Sequence, residues 1–203
     1  MTLLKTAKPK PTPKGQASNE QVFRAAARLM VQKGYGATSI SDIAQAVGMT
    51  KAGLYHHITG KQDMLFQILQ YAWCEMERLV IEPAKQVQDP ELRLIEMIRR
   101  HVRGILGGGL EFTLLFRERH HLDELQQETI SQQTQSYLAL VGATLQELAK
   151  EGKLRDLDIQ IATIHLLKTI SGIADWYPKF PEIDEDHLVE QTVNFGLSAV
   201  LER

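Results

Sequence analysis

Hydrophobic residues recur at helical spacing along most of the chain. Val22, Ala26, Leu29 and Met30 share one face of a segment that Ser18 or Asn19 can cap and Gly34 can stop. Two short segments follow. One runs 40–47 and stops at Gly48; the other opens at Thr50 and runs to about His57. Lys61 then begins a long segment with Leu65, Ile68, Leu69, Ala72, Met76, Leu79 and Val80 inside, which meets Pro83. Residues 91–106 repeat the pattern through Ile95, Ile98, Val102 and Ile105, until Gly107-Gly108-Gly109 breaks it. The spacing predicts a short apolar helix over 110–117, a long one over 123–151, one apolar on nearly every side over 158–176, and a closing helix over 185–202. No segment alternates with period two between turns. The predicted fold is all-α, with about nine helices: an N-terminal three-helix unit containing a helix-turn-helix, then a C-terminal helical bundle.

Composition changes this picture in few places. Apolar residues are 43% and charged residues 24% of 203, ordinary for a globular chain. The single cysteine, Cys74, excludes an intramolecular disulfide framework and a cysteine-based zinc module. No run of 18 apolar residues exists and the start lacks a secretory apolar stretch, so a cytoplasmic protein without membrane association is expected. The net charge is −2, but residues 1–61 carry nine basic side chains against two acidic ones. Four of the nine lie in the Lys/Pro-rich residues 1–17, which read as an extended, disordered arm. Charge alone leaves two readings open: a head that meets a polyanion, or a basic tail with no partner.

Residues 38–61 carry the most specific pattern. Ser39 with Asp42 three residues on forms a variant capping box for the first short helix. Val47-Gly48-Met49 makes the turn, and Thr50 caps the second helix. Ile43, Val47 and Leu54 can form a small core between them, and Ala44 is small where the helices approach. The stretch from Gly34 to Lys61, including Thr38-Ser39-Ile40-Ser41-Asp42-Ile43-Ala44 and Val47-Gly48-Met49-Thr50-Lys51-Ala52-Gly53-Leu54-Tyr55-His56, resembles the DNA-binding signature of the TetR/AcrR family. The likeness extends over Val22 to Leu65, with departures at His57, Ile58 and Thr59. It implies a double-stranded DNA operator as partner. The helix from Thr50 would enter the major groove, with Thr50, Lys51 and Ala52 at base edges. Tyr55, His56, Lys61, Thr38 and Ser39 match positions that meet phosphates.

The same resemblance divides the chain into a basic arm (1–17), a helix-turn-helix domain (18–62) and a ligand-binding and dimerisation domain (63–203). It implies a homodimer formed through the last two long helices. The residues agree, since a helix apolar all round must be buried on several sides; Leu166, Ile170, Ile173, Val193 and Val200 are the candidate dimer residues. A small hydrophobic effector is implied for the bundle, with Trp73, Phe112, Phe116, Tyr137 and Trp176 as candidate walls. Arg100 and Arg103 belong to an arginine cluster suited to phosphates. Residues 173–178 resemble a Trp-Tyr element of family members that respond to acyl-CoA thioesters, which makes an acyl-CoA the expected effector and repression the expected mode.

Other chemistry finds less support. Glu118-x-x-His121 has the spacing of a di-metal bundle ligand pair, but it lies in a charged run without the further inward carboxylates such a site needs. His56-His57 and His120-His121 are adjacent pairs expected to point apart. No catalytic residue, metal or cofactor is expected. The alternative, a helical lipid or acyl carrier with no DNA role, accounts for the body but not for residues 38–61.

Overall fold

The computed structural model describes residues 14–107, 114 and 117–202, with side chains from Asn19 onward. Helix α1 (Lys14–Lys33) begins inside the segment expected to be an arm; the rest of that arm lies outside the described residues. Then follow α2 (Ile40–Ala46), α3 (Lys51–Tyr55) and α4 (Lys61–Met76). The chain does not end its helix at Pro83. A π-helical turn, Glu77–Ile81, leads directly into α5 (Glu82–Lys85), and this local change of helix type takes in Pro83. Helices α6 (Pro90–Leu106), α7 (Glu124–Lys150), α8 (Ile159–Trp176) and α9 (Glu185–Val200) complete the body. The all-α class is as expected, and no strand occurs among the described residues. Most of the short helix expected at 110–117, with Gly108 and Gly109, lies outside them.

The expected punctuation does its work locally. Gly34 (φ 85°), Gly48 (φ 66°) and Gly152 (φ 70°) end α1, α2 and α7 in the left-handed region. Asp89, Asp123, Asp158 and Asp184 each accept a backbone N–H at the start of α6, α7, α8 and α9.

Helix α6 is the axis of the body and packs against α7, α8 and α9. Its buried stripe is Leu94, Met97, Ile98, His101 and Val102. The approach of α9 to α6 depends on Gly196, where an added Cβ would lie 2.9 Å from Ile98 Cδ1 and 3.4 Å from Leu166 Cδ2. Gly196→Ala is therefore expected to displace the end of the Ile98 side chain, and the overpacking cost of about 1–3 kcal/mol is offset by about 1 kcal/mol of helix propensity, for a net loss of about 0–2 kcal/mol. Urea unfolding checks this; a variant more stable than the parent would show that the two helices have room to spare.

Candidate nucleic-acid interface and effector cavity

The head is built around a few short-range devices. Ser39 Oγ accepts the Asp42 N–H (3.1 Å), while Asp42 Oδ2 accepts the Ser39 N–H (2.9 Å). The Ser39 hydrogen bonds hold the Asp42 carboxyl below its ordinary range, and Lys33 adds to this at 3.7 Å. The turn closes with the Met49 N–H on the Ala44 carbonyl at 2.9 Å. Thr50 Oγ1 then accepts the Gly53 N–H at 3.0 Å and starts α3. Ile40, Ile43, Ala44, Leu54 and Ile58 are buried beneath, against Val22, Ala26, Ala27 and Met30 of α1. Val47 is half-buried and packs against this core as expected, and Ile58 joins it.

That packing decides what faces outward. Thr50, Lys51, Ala52, Tyr55 and His56 are all exposed, Tyr55 by 49%. Ser39 is exposed, although its hydroxyl already donates to Asp42 Oδ2 (2.8 Å). Thr38 does not join them: it is 1% exposed, and its hydroxyl donates to the Gly34 carbonyl (2.9 Å) at the end of α1. A side chain so placed holds the α1–α2 corner rather than a phosphate. Lys61 is half-buried, with Nζ donating to the carbonyls of Tyr35 (2.9 Å) and Gly36 (3.1 Å) and lying 4.4 Å from the Tyr35 ring centre.

Tyr35 has a second neighbour, which the sequence did not reveal. Its ring stacks on His121 with centroids 4.3 Å apart, so the head touches the body there. Gln62, in the first turn of α4, donates to Asp123 Oδ2 (3.2 Å) and Gln126 Oε1 (3.0 Å) at the start of α7. His120 and His121 do not point apart. Their rings are 4.0 Å from each other, and their donor atoms lie within 4.8 Å of one another and of the Glu118 carboxylate.

Twelve residues along α4 from Lys61, Trp73 reaches a cavity of about 310 Å3. Its wall also holds His101 from α6, Tyr137 from α7, Ile164, Leu167 and Lys168 from α8, and Arg119. Trp73 and Tyr137 are thus brought together, as expected of a ligand site. Trp176 is not among them. It sits in a shallow groove between α8 and α9, beside Ile173 and Phe195, and packs edge-on against Tyr177 and Phe180. Phe112 and Phe116 lie outside the described residues. Arg100 and Arg103 are also elsewhere, paired with Glu96 (2.8 Å) and Asp186 (3.4 Å). The cations at the cavity are Arg119 and Lys168. His101 was missed because one histidine on an apolar stripe reads as core; Lys168 could have been noticed as the lone lysine of the most apolar helix.

Burial dominates the cavity's polar chemistry. His101 is held down to about 4 by desolvation, so its imidazole is neutral near pH 7. The same burial raises the Tyr137 phenol, whose oxygen lies 3.4 Å from His101 Nδ1.

The candidate dimer residues need a different correction. Leu166, Ile170, Ile173, Val193 and Val200 are 2–6% exposed within one chain, so they form its own core. The apolar surface of the same helices lies a step round: Ile161 (55%), Ile164 (41%) and Phe195 (62%).

A capped two-helix reader on a helical body with an internal cavity defines a helix-turn-helix transcriptional regulator that binds DNA. The comparisons make the family specific. The profile of bacterial regulatory proteins of the tetR family matches residues 22–68, and that of the tetracyclin repressor-like C-terminal domain matches residues 87–200. The chain belongs to the TetR family. It is 25% identical to the uncharacterized HTH-type transcriptional regulator YhgD of Bacillus subtilis, over 88% of this chain and 95% of that protein. It is 24% identical to the HTH-type transcriptional repressor KstR2 of Rhodococcus jostii, over 86% of this chain and 87% of that one. The crystal structure of AibR in complex with isovaleryl coenzyme A and operator DNA superposes with a TM-score of 0.81 at 25% identity, covering 88% of this chain and 97% of AibR. Among the described residues, no helix is long and apolar enough to cross a membrane.

Proposed function

We propose that the protein is a dimeric repressor that leaves its operator when an acyl-CoA enters the body. The observation that carries this reading is the double engagement of α4, whose first turn holds the head through Lys61 and whose later turns wall the cavity through Trp73. The division falls near residue 62, with α1–α3 as the reader and the rest as the sensor. The cavity is the size of a small ligand pocket and admits a short acyl group, while the coenzyme A must lie outside it. Arg119 and Lys168 are cations on the cavity wall that suit its phosphates or its thioester. The likeness to AibR, solved with isovaleryl coenzyme A and DNA, supports both partners. Ile161, Ile164 and Phe195 offer the face for a second copy, which suits a two-fold operator.

In this reading Lys51 leads the reading helix and carries sequence preference, whereas Lys61 sets the position of the head. Lys51→Ala should change the ranking of operator variants. Lys61→Ala should weaken specific and random duplexes together, with a salt slope shallower by about one phosphate's worth if its remaining N–H meets the backbone. The deciding experiment is fluorescence anisotropy of a labelled operator titrated with acyl-CoAs of several chain lengths, with CoA and free acids as controls. Release by free acids alone, with none by any acyl-CoA up to about 1 mM, would sink the effector assignment and leave DNA binding standing.

A further inference from the structure

We propose that Glu118, His120 and His121 bind a divalent metal ion of the zinc class where the body meets the head. None of the three lines the effector cavity, and the site does not depend on the acyl-CoA reading. One donor atom from each residue lies within 4.8 Å of the others. His121 Nε2 and Glu118 Oε2 are 3.3 Å apart, and the two imidazole rings are 4.0 Å apart. Bonds of about 2.1 Å to a tetrahedral ion put two donors about 3.4 Å from each other. The first pair is therefore at that separation already, and the exposed His120 ring can rotate to close the remainder.

The backbone is what gathers them. Residues 119–121 form one tight turn, in which the His121 N–H donates to the Glu118 carbonyl (3.0 Å) and the Leu122 N–H to the Arg119 carbonyl (3.1 Å). Leu122 is buried and Asp123 caps α7, so the turn is anchored at its far end. Two features set the cluster apart from a solvated charged run. The Glu118 side chain is only 15% exposed, yet among the described residues no lysine or arginine pairs with it. A carboxylate largely out of water calls for a cation. His121 supplies one only when protonated, whereas a divalent ion on neutral imidazoles supplies it directly. The second feature is His120, whose ring nitrogens have no hydrogen-bond partner among the described residues. Two imidazoles and a carboxylate form the ligand set of open zinc sites, and they disfavour magnesium and calcium, which take oxygen ligands. The stack on Tyr35 does not interfere, because it covers a ring face while the nitrogen lone pairs lie in the ring plane. An ion there fixes the ring on which Tyr35 rests, and so stiffens the contact between body and head.

The test uses the full-length, tag-free protein stripped with a chelator and titrated calorimetrically with zinc chloride alone. One ion per chain should bind with a Kd of about 1 µM or tighter, with no competition from about 1 mM magnesium. His120→Asn and His121→Asn should each weaken binding at least tenfold, since even loss of a partner one shell further out costs about 10–100-fold. Glu118→Gln should weaken it as well, and His187→Asn, at an exposed position on α9, should not. Zinc should also raise the melting temperature of the parent and leave that of the two histidine variants where it is. Both substituted rings are exposed, so circular dichroism should show unchanged helix in each variant. No binding tighter than about 100 µM in the parent would overturn the proposal. Binding that is undiminished in both histidine variants would place the ion elsewhere and overturn it too.

Discussion

Ile170→Glu is expected to abolish the folded body rather than to separate two intact subunits. Ile170 is 3% exposed, on the side of α8 that packs inward with Leu166 and Ile173, and Met97, Ile98, Val141 and Leu166 lie around it. The substitution removes an apolar side chain worth about 2–5 kcal/mol in such a site and leaves a carboxylate with no cation nearby. Whether the glutamate ionises or stays protonated, the loss is several kcal/mol, comparable to the whole stability of an ordinary domain. Circular dichroism should show little helix in whatever remains soluble. Phe195→Glu makes the contrast. Phe195 is 62% exposed, so this chain should keep its helices and its melting behaviour while sedimenting as a monomer and losing operator affinity. A folded monomer from Ile170→Glu, or a dimer from Phe195→Glu, would reverse the assignment of the two faces.

The second large effect is on acid stability. His101 titrates near its ordinary 6.5 in the unfolded chain but at about 4 in the fold. Between those values the unfolded state binds a proton that the folded state does not. Stability therefore falls as pH is lowered through this window, by up to about 1.4 kcal/mol per unit and about 3 kcal/mol in all. Burial is the cause, and the Tyr137 phenol, itself raised by burial and neutral there, does not relieve it. In His101→Leu the slope of unfolding free energy against pH should be shallower by that amount between 6.5 and 4, whatever the carboxylates add to both proteins. Parallel curves for the two proteins would show that the imidazole accepts its proton without unfolding.

How much of this was written in the sequence depends on the range of the forces involved. The reader was legible because its determinants are local. Ser39 with Asp42, Gly48 and Thr50 each act within four residues, and the structure uses all of them in the expected roles. Thr38 was misplaced because a hydroxyl can serve a phosphate or a carbonyl, and although the Gly34 carbonyl is only four residues away, residue type alone does not say which it meets. In the body, periodicity showed that α8 is apolar all round but could not say which stripe is inward. Leu166, Ile170 and Ile173 went to the core and Ile161 and Ile164 to the surface, a choice made by α6, α7 and α9. The arginines illustrate the same limit. Of the arginines clustered over 99–119, Arg119 lines the cavity, whereas Glu96, Glu190 and Asp186 claim Arg99, Arg100 and Arg103 on the outside of α6.

The engagement of α4 with both ends has a further consequence. From Lys61 to Trp73 the helix is unbroken and spans roughly 18 Å at 1.5 Å per residue. A stiff element that carries a change from cavity to operator carries it equally in the other direction, because coupling between two binding equilibria is reciprocal. Whatever factor the effector removes from operator affinity, the operator must remove from effector affinity. Repressor already seated on DNA will then respond at a higher effector concentration than repressor free in solution, and the gap between those two thresholds measures the coupling directly, without any structure of either complex.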